Sequence, residues 1–401
     1  MRTLSQQMRP AVYPATALAV LLVAALLAVA LPARPAQAAS PPAYAVTVLH
    51  AVTGEFFAPS DRGNPVNGAG LVAGYVFNSR DPAEAAVFDT RTSTVRKFGY
   101  LNYSPITSDS HYSVATDVNI RGDVVGTSSF GDGSDHAFVV PAGSDQLIDL
   151  GVDGGTEIDS GANAVNDRGV IAGYQDVGLS TVAVTWTLHP DAAPTRADIG
   201  TAIGSMSSVA ISLNNAGYVL VARWDTGYNR NIVWFPRQRY AMPIKPLPGD
   251  DTTLFSDINS AGYAVGTSSK QGTPDDHAML WSSKTRTSQR LPVPGVRADP
   301  VAINDRGEII GNEYPLTSDT SNHSRPVIWG PYGSSARYLA TGSSTDIIAS
   351  GINVYGQVVG QNGRFGITWV PSTTATTTAV PPVPRASVPT AHLPGNGVHV
   401  L

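Results

Sequence analysis

The chain has 401 residues and no cysteine, and 26 Lys and Arg stand against 31 Asp and Glu. Without cysteine, disulfides and cysteine-ligated metals are excluded. A formal charge of −5 argues against nucleic acid, which wants a basic face. Charged residues make up only 14%, while 39 Gly and 30 Pro suit an exported all-β protein with many turns.

Residues 1–38 read as a secretory signal peptide. Arg2 and Arg9 form the positive start, Ala17 to Leu31 an apolar run, and Ala36-Gln37-Ala38 a small-x-small cleavage site. Cleavage there lowers Lys and Arg from 26 to 23 and leaves a net charge of −8. No second long apolar run follows, so the mature chain is expected to lack a membrane span. Tyr44 to Leu49 is a strand-like stretch that belongs to no repeat.

From about residue 60, one unit recurs seven times. Its asparagines are Asn67, Asn119, Asn166, Asn214, Asn259, Asn304 and Asn353, separated by 52, 47, 48, 45, 45 and 49 residues. Val, Leu or Ile precedes each, and glycine follows three residues later, as in Ile303-Asn304-Asp305-Arg306-Gly307. This is turn chemistry: the Asn side chain bonds backbone N–H groups just ahead, and glycine accepts a positive φ. Two consecutive apolar residues follow every turn, as in Ile309-Ile310. Neighbouring strand residues point to opposite faces, so both faces of this strand must be buried. Six copies carry a second glycine seven residues after the Asn, and the fourth carries Val221 instead.

A third strand ends in Phe88, Val140, Trp186, Trp234, Trp281, Trp329 or Trp369. A fourth is read at Val95–Phe98, Gln146–Leu150, Thr195–Ile199, Pro243–Leu247, Ser288–Leu291 and Ala336–Leu339. Four strands in about 45 residues fit a propeller blade. The seventh copy lacks a fourth strand and Tyr44–Leu49 lacks a partner. The expected fold is therefore all-β: a seven-bladed β-propeller over residues 39–370, its last blade closed by the N-terminal strand of the mature chain. Residues 371–401, rich in Thr and Pro, read as an extended tail with no core of their own.

The unit resembles the HAF-type extracellular repeat. The likeness rests on Val165-Asn166-Asp167-Arg168-Gly169-Val170-Ile171-Ala172-Gly173 and on His136-Ala137-Phe138, with His277-Ala278-Met279 at the equivalent place. It covers residues from about 60 to 370. The His position holds Glu84, Val182, Arg230, Arg325 and Phe365 in the other copies. The resemblance implies an exported, bacterial, propeller-like protein and no established activity.

No Walker loop, HExxH or GxSxG is present. Loops joining second to third strands, and one blade to the next, vary most in length and mark the expected binding face. Trp224, Asp225 and Tyr228 are candidates for stacking on a sugar and bonding its hydroxyls. Asp132, Asp135, Asp275 and Asp276 are acidic candidates on the same face. No cofactor is expected. Asp132-Gly133-Ser134-Asp135 offers oxygens to Ca²⁺ but lacks EF-hand spacing, and Asp and Gly are also ordinary turn formers. Asp117 and Asp257, two residues before their Asn, are read as bonded within the blade. The functional reading is a secreted binding or scaffold module for a carbohydrate, peptide or cell-envelope component. The alternative is a glycosidase or polysaccharide lyase using loop carboxylates. The expected partner is an extracellular glycan or protein, and the chain is expected to be a monomer.

Overall fold

The computed structural model describes residues 43–372, except 52–53, 79–80, 102–110, 132, 152–158, 206, 225–229, 274, 296, 315–323 and 341–346. The signal-peptide reading (1–38) and the tail from residue 373 lie outside the described residues. Within them no helix is long and apolar enough to cross a membrane.

The chain is a seven-bladed β-propeller of four-stranded antiparallel sheets. β1 (Ala43–Leu49) comes first. Blade 1 is β2 (Phe56–Pro59), β3 (Leu71–Phe77), β4 (Glu84–Asp89) and β5 (Thr94–Lys97); blade 2 is β6 (Ser113–Val118), β7 (Val124–Ser129), β8 (Asp135–Val140) and β9 (Ile148–Asp149). Blade 3 is β10 (Ser160–Val165), β11 (Val170–Val177), β12 (Ser180–His189) and β13 (Ala192–Asp198); a five-residue helix, α1 (Ile199–Ile203), leads out of it. Blade 4 is β14 (Ser208–Leu213), β15 (Val219–Arg223), β16 (Arg230–Phe235) and β17 (Tyr240–Pro243). Blade 5 is β18 (Thr252–Ile258), β19 (Tyr263–Ser269), β20 (Asp276–Ser282) and β21 (Thr287–Arg290). Blade 6 is β22 (Ala298–Ile303), β23 (Ile309–Glu313), β24 (Arg325–Trp329) and β25 (Ala336–Tyr338). Blade 7 is β26 (Ile347–Ile352), β27 (Val358–Asn362), β28 (Phe365–Ser372) and, as its outer strand, β1.

The closure expected from the leftover strand is present: β1 pairs antiparallel with β28, from Ala43 opposite Ser372 to Leu49 opposite Gly366. β28 runs to Ser372, two residues past residue 370, where the propeller was read to end. The fourth strand of blade 4 also differs from the reading. It is Tyr240–Pro243, not Pro243–Leu247, because the four-residue turn after Phe235 sets Tyr240 opposite Phe235 and Pro243 opposite Ile232. Ile244 and Leu247 still bury, as anchors beyond the strand.

Seven apolar clusters fill the gaps between consecutive blades. The paired apolar residues after each Asn turn divide between two such gaps. Ile171 joins the cluster shared with blade 2, and Ala172 the one shared with blade 4. Trp186, Trp281, Trp329 and Trp369 are among the largest fully buried side chains. Each such burial stabilises by a few kcal/mol, roughly the cost of truncating a core Trp. Trp329 and Trp369 also donate their indole N–H to the carbonyls of Pro292 and Ala340 in the preceding blade.

The second glycine of the repeat has a steric cause. In blades 2 to 7 the inner strand carries a β-bulge, as between Ala115 and Asp117 or Phe255 and Asp257. An inner-strand carbonyl lies over this glycine, so a Cβ on Gly266 would stand 2.2 Å from the Leu254 oxygen and one on Gly126 2.0 Å from that of Val114.

Deleting Tyr44–Leu49 strips the outer strand from blade 7 and bares the edge of β28, an invitation to aggregation. The expected calorimetric outcome is loss of the single cooperative transition. A deleted chain that melts as the full chain does would mean the ring closes by other means.

Candidate functional site

Every inner strand meets its neighbour through an Asn turn, so these turns share one end of the propeller, the turn face. Their geometry is uniform. The Asn304 side-chain oxygen accepts the N–H groups of Arg306 and Glu308, both at 3.0 Å, and Gly307 N–H donates to the Asn304 carbonyl at 2.9 Å. The turn glycines have φ between +79° and +92°. The side-chain nitrogen then leaves its own blade. Asn67 donates to the carbonyl of Asn119, Asn119 to Asn166, Asn166 to Asn214, Asn214 to Asn259, Asn259 to Asn304, and Asn304 to Asn353. Asn353 donates to Asn67 at 3.0 Å and closes the belt. All seven asparagines are buried.

The belt surrounds a bowl of about 360 Å³. Asp117 and Asp257 line it, and neither is bonded only within its blade, as the sequence reading had it. Asp117 accepts Val118 N–H at 2.7 Å and, from the next blade, Val165 N–H at 2.8 Å. Asp257 accepts Ile258 N–H, the Ser212 hydroxyl of the preceding blade and Ile303 N–H of the next. Both acids are therefore ties between blades. Burial pushes Asp117 up to about 8 against its two N–H donors, with the charges of Asp257 and Asp167 adding to the rise. Burial likewise raises Asp257.

Blade 1 departs from the pattern. Its inner strand pairs Pro59 with Gly74, and regular contact resumes only where Ala73 N–H meets the Pro65 carbonyl. Five residues, 60–64, occupy the place of a one-residue bulge and cross the channel as a plug. Gly63 has φ +68°, and a Cβ there would stand 2.7 Å from the Asn163 oxygen in blade 3. Asn64 ties the far end to blade 7, accepting from Ile352 N–H at 2.9 Å and donating to its carbonyl at 3.1 Å. The signal was legible: Pro59-Ser60-Asp61-Arg62-Gly63-Asn64-Pro65 is a run of turn formers where other copies have strand residues.

Beyond the plug lies the loop face. Here the plug's exposed Arg62 neighbours a polar cluster built on blades 2 and 3. The Tyr112 hydroxyl donates to Asp135, and Asp135 N–H donates to Asp159 at 2.9 Å. Tyr174 packs flat on Gly161, where a Cβ would meet its ring at 2.6 Å. Burial pushes Tyr112 far up and Tyr174 to about 12, while the Arg62 charge opposes both. Asp135 is also raised, by burial first, with Asp159 adding and Tyr112 and Arg62 opposing. The two phenols therefore stay protonated as hydrogen-bond donors at neutral pH.

Among the described residues, the candidates read from sequence lie on different blades. Asp132, Asp225 and Tyr228 lie outside the described residues. Asp135 is in the blade 2–3 cluster. Trp224, half-buried in blade 4, holds its loop through its own N–H to the Ser207 carbonyl. Asp275 is exposed, and its neighbour Asp276 is ion-paired with Arg297. Among the described residues no group of three His, Cys, Asp or Glu is arranged to hold a metal ion. His136 and His277 each meet a carboxylate at 2.9 Å, Asp149 and Asp250. Arg62, Tyr112 and Asp159 were missed, because their approach depends on the plug and on pairing between blades.

No protein-family model and no curated protein matches the chain. Solved structures do. An oligogalacturonate lyase in complex with manganese is similar at a TM-score of 0.55 and 8% identity, over 83% of this chain and 95% of its own. The oligogalacturonate lyase of Vibrio parahaemolyticus gives 0.53 and 11%, over 82% and 94%. YCF48 from Cyanidioschyzon merolae gives 0.52 and 9%, over 81% and 99%. At these identities the likeness is one of fold.

Two predictions follow from the turn face. A lost turn bond alone suggests a cost of about 1 kcal/mol for Asn304→Ala, but the cross-blade bond and the buried groups left behind raise it to roughly 2–3 kcal/mol. Denaturant unfolding measures this, and a cost under about 1 kcal/mol would remove the belt from the stability of the ring. Asp117 sets a pH dependence. Its folded value of about 8 lies above the ordinary carboxylate range of roughly 4. Its stabilising contribution is thus complete below about pH 4 and is lost as pH rises toward 8. Asp117→Asn, which cannot ionise, is expected to show a shallower fall in unfolding free energy from pH 5 to pH 8. Parallel curves for the two proteins would contradict the assignment.

Proposed function

We propose that this is an exported propeller of the HAF-repeat kind that acts as a binding module, its ligand held on the loop face between blades 2 and 3. The observation that carries this reading is the plug. It projects into the channel from blade 1, meeting blades 2, 3 and 7, and brings the exposed Arg62 near Tyr112, Asp135 and Tyr174. The exposed Arg62 offers a cation beside the Tyr112–Asp135–Asp159 cluster, a polar setting for an oxygen-rich ligand. A carbohydrate or another cell-envelope fragment fits that chemistry. The plug is fixed at both ends, so little ordering cost is left for binding. Tyr174 gives a flat ring and Tyr112 a hydroxyl, the pairing of apolar body and polar tip that suits recognition.

Glycan and cell-wall-fragment arrays test this, with the parent chain and Arg62→Ala compared. The side chain is exposed, so the variant is expected to melt as the parent does. Binding is expected to fall by at least about tenfold, the scale of a lost charge-assisted contact. Undiminished binding in Arg62→Ala would move the ligand off this cluster.

A further inference from the structure

The hairpins between third and fourth strands are built alike in blades 1, 4 and 5. Each has a four-residue turn at the turn face, 90–93, 236–239 and 283–286, whose last residue has positive φ: Ser93 at +56°, Arg239 at +49° and Arg286 at +59°. The second turn residue is basic in all three, Arg91, Arg237 and Lys284. In blade 1 that charge is answered at home, because Arg91 meets Asp89 at 3.1 Å. The place of Asp89 is taken by Phe235 in blade 4 and by Ser282 in blade 5.

Blades 4 and 5 go further in the same direction. No Asp or Glu occurs from 231 to 249 or from 277 to 298. Arg237, Arg239, Lys245, Lys284, Arg286 and Arg290 fall in these stretches. All are exposed, and none forms an ion pair among the described residues. The basic residues on the outer strand of blade 1 are tied instead, Arg96 to Asp145 and Lys97 to Glu84. Charges along an outer strand guard its edge against stray pairing. That role does not call for arginine at two left-handed positions, where glycine is free of strain, nor for the loss of every acid.

The two sets of cations are continuous. The Ser288 hydroxyl on β21 donates to the Lys245 carbonyl at 2.7 Å, so the outer edges of blades 4 and 5 touch. Arg290, two residues on, shares a strand face with Ser288. The cations thus run from both hairpin tips along the seam between the blades. At the tip of blade 4 the Tyr240 ring, 46% exposed, stacks on the buried Phe235 with centroids 6.2 Å apart, and Tyr218 backs Phe235 at 4.5 Å.

We propose that this wall is a second binding surface, for a linear acidic polysaccharide that carries carboxylates on its sugar units. A flexible chain can follow the cations from the tips to the seam. Guanidinium forks pair with carboxylates through two parallel bonds. The braced Tyr240 gives a sugar ring a flat apolar face with a hydroxyl at its edge. An anionic membrane fits less well. A plane laid on the hairpin tips misses Lys245 and Arg290, farther along the wall, and meets the exposed Asp167 and Asp305 of the same face. A nucleic-acid strand wants a succession of rings for its bases, and among the described residues of blades 4 and 5 Tyr240 is the one exposed aromatic.

Alginate, a polyuronate, is the probe, with dextran as its uncharged counterpart, and both are tested on the full chain. The chain is expected to bind immobilised alginate at low ionic strength, to ignore dextran, and to release alginate at about 1 M salt, where the Debye length is roughly 3 Å. Arg237→Glu combined with Lys284→Glu is expected to weaken binding by about tenfold or more, the low end of what a focused field contributes. Lys270→Glu is the control: it makes the same change of charge in blade 5, at an exposed position on the loop face, and is expected to keep most of the affinity. The substituted positions are exposed, so all variants are expected to melt as the parent does. No binding to alginate at low salt, equal binding to dextran, or an equal loss in Lys270→Glu would each overturn the proposal. So would tighter binding to phosphatidylglycerol vesicles or to single-stranded DNA than to alginate. The loop-face reading is tested separately, by Arg62→Ala on the glycan arrays.

Discussion

The belt of asparagine side chains is the constraint from which the rest of the ring follows. Each amide does two things at once. Its oxygen caps its own turn, and its nitrogen donates to the equivalent carbonyl one blade on. Aspartate has no proton to give, and serine cannot reach both ways. A planar amide with one donor end and one acceptor end meets the requirement at all seven positions. The last of these bonds, from Asn353 to Asn67, exists only in a closed ring. The belt and the pairing of β1 with β28 therefore depend on one another.

The inner strands need such help because one edge of each faces the channel rather than another strand. Buried polar groups must find partners. In blades 2, 3 and 5 the bulge residue points its side chain at the next blade. Thr116 donates to the carbonyl of Ala162, Asn163 to that of Ala210, and Ser256 to that of Pro300. Asp117 and Asp257 tie in the opposite sense, by accepting N–H groups from the following blade. In six blades an inner-strand carbonyl leaves no room for a side chain on the facing glycine of the second strand, while blade 4 has the bulge and Val221 there.

The plug gives the two faces different characters. On the turn face seven short turns repeat one geometry and enclose a bowl of carbonyls and carboxylates. On the loop face connections of unequal length gather tyrosines, aspartates and Arg62. Rigidity made by the belt and variety carried by the loops are thereby kept apart. Substitutions on the loop face leave the ring's bonds intact.

The sequence by itself determined the seven blades, the burial of both faces of the second strand, the Trp row and the closing strand. These are local: a period, a turn residue, a pair of apolar neighbours, and a count of strands left without partners. Tertiary structure decided the rest. That Asn304 reaches Asn353, or that Asp257 reaches Ile303, depends on how far one blade is rotated from the next, which no spacing along the chain encodes. The plug was half legible, as a run of turn formers, but its passage to Asn163 and Ile352 was not. The candidate site divides in the same way. Asp135 was found because acids in loops are visible in one dimension. Arg62, Tyr112, Asp159 and Tyr174 come from three segments that are neighbours only once the ring has formed.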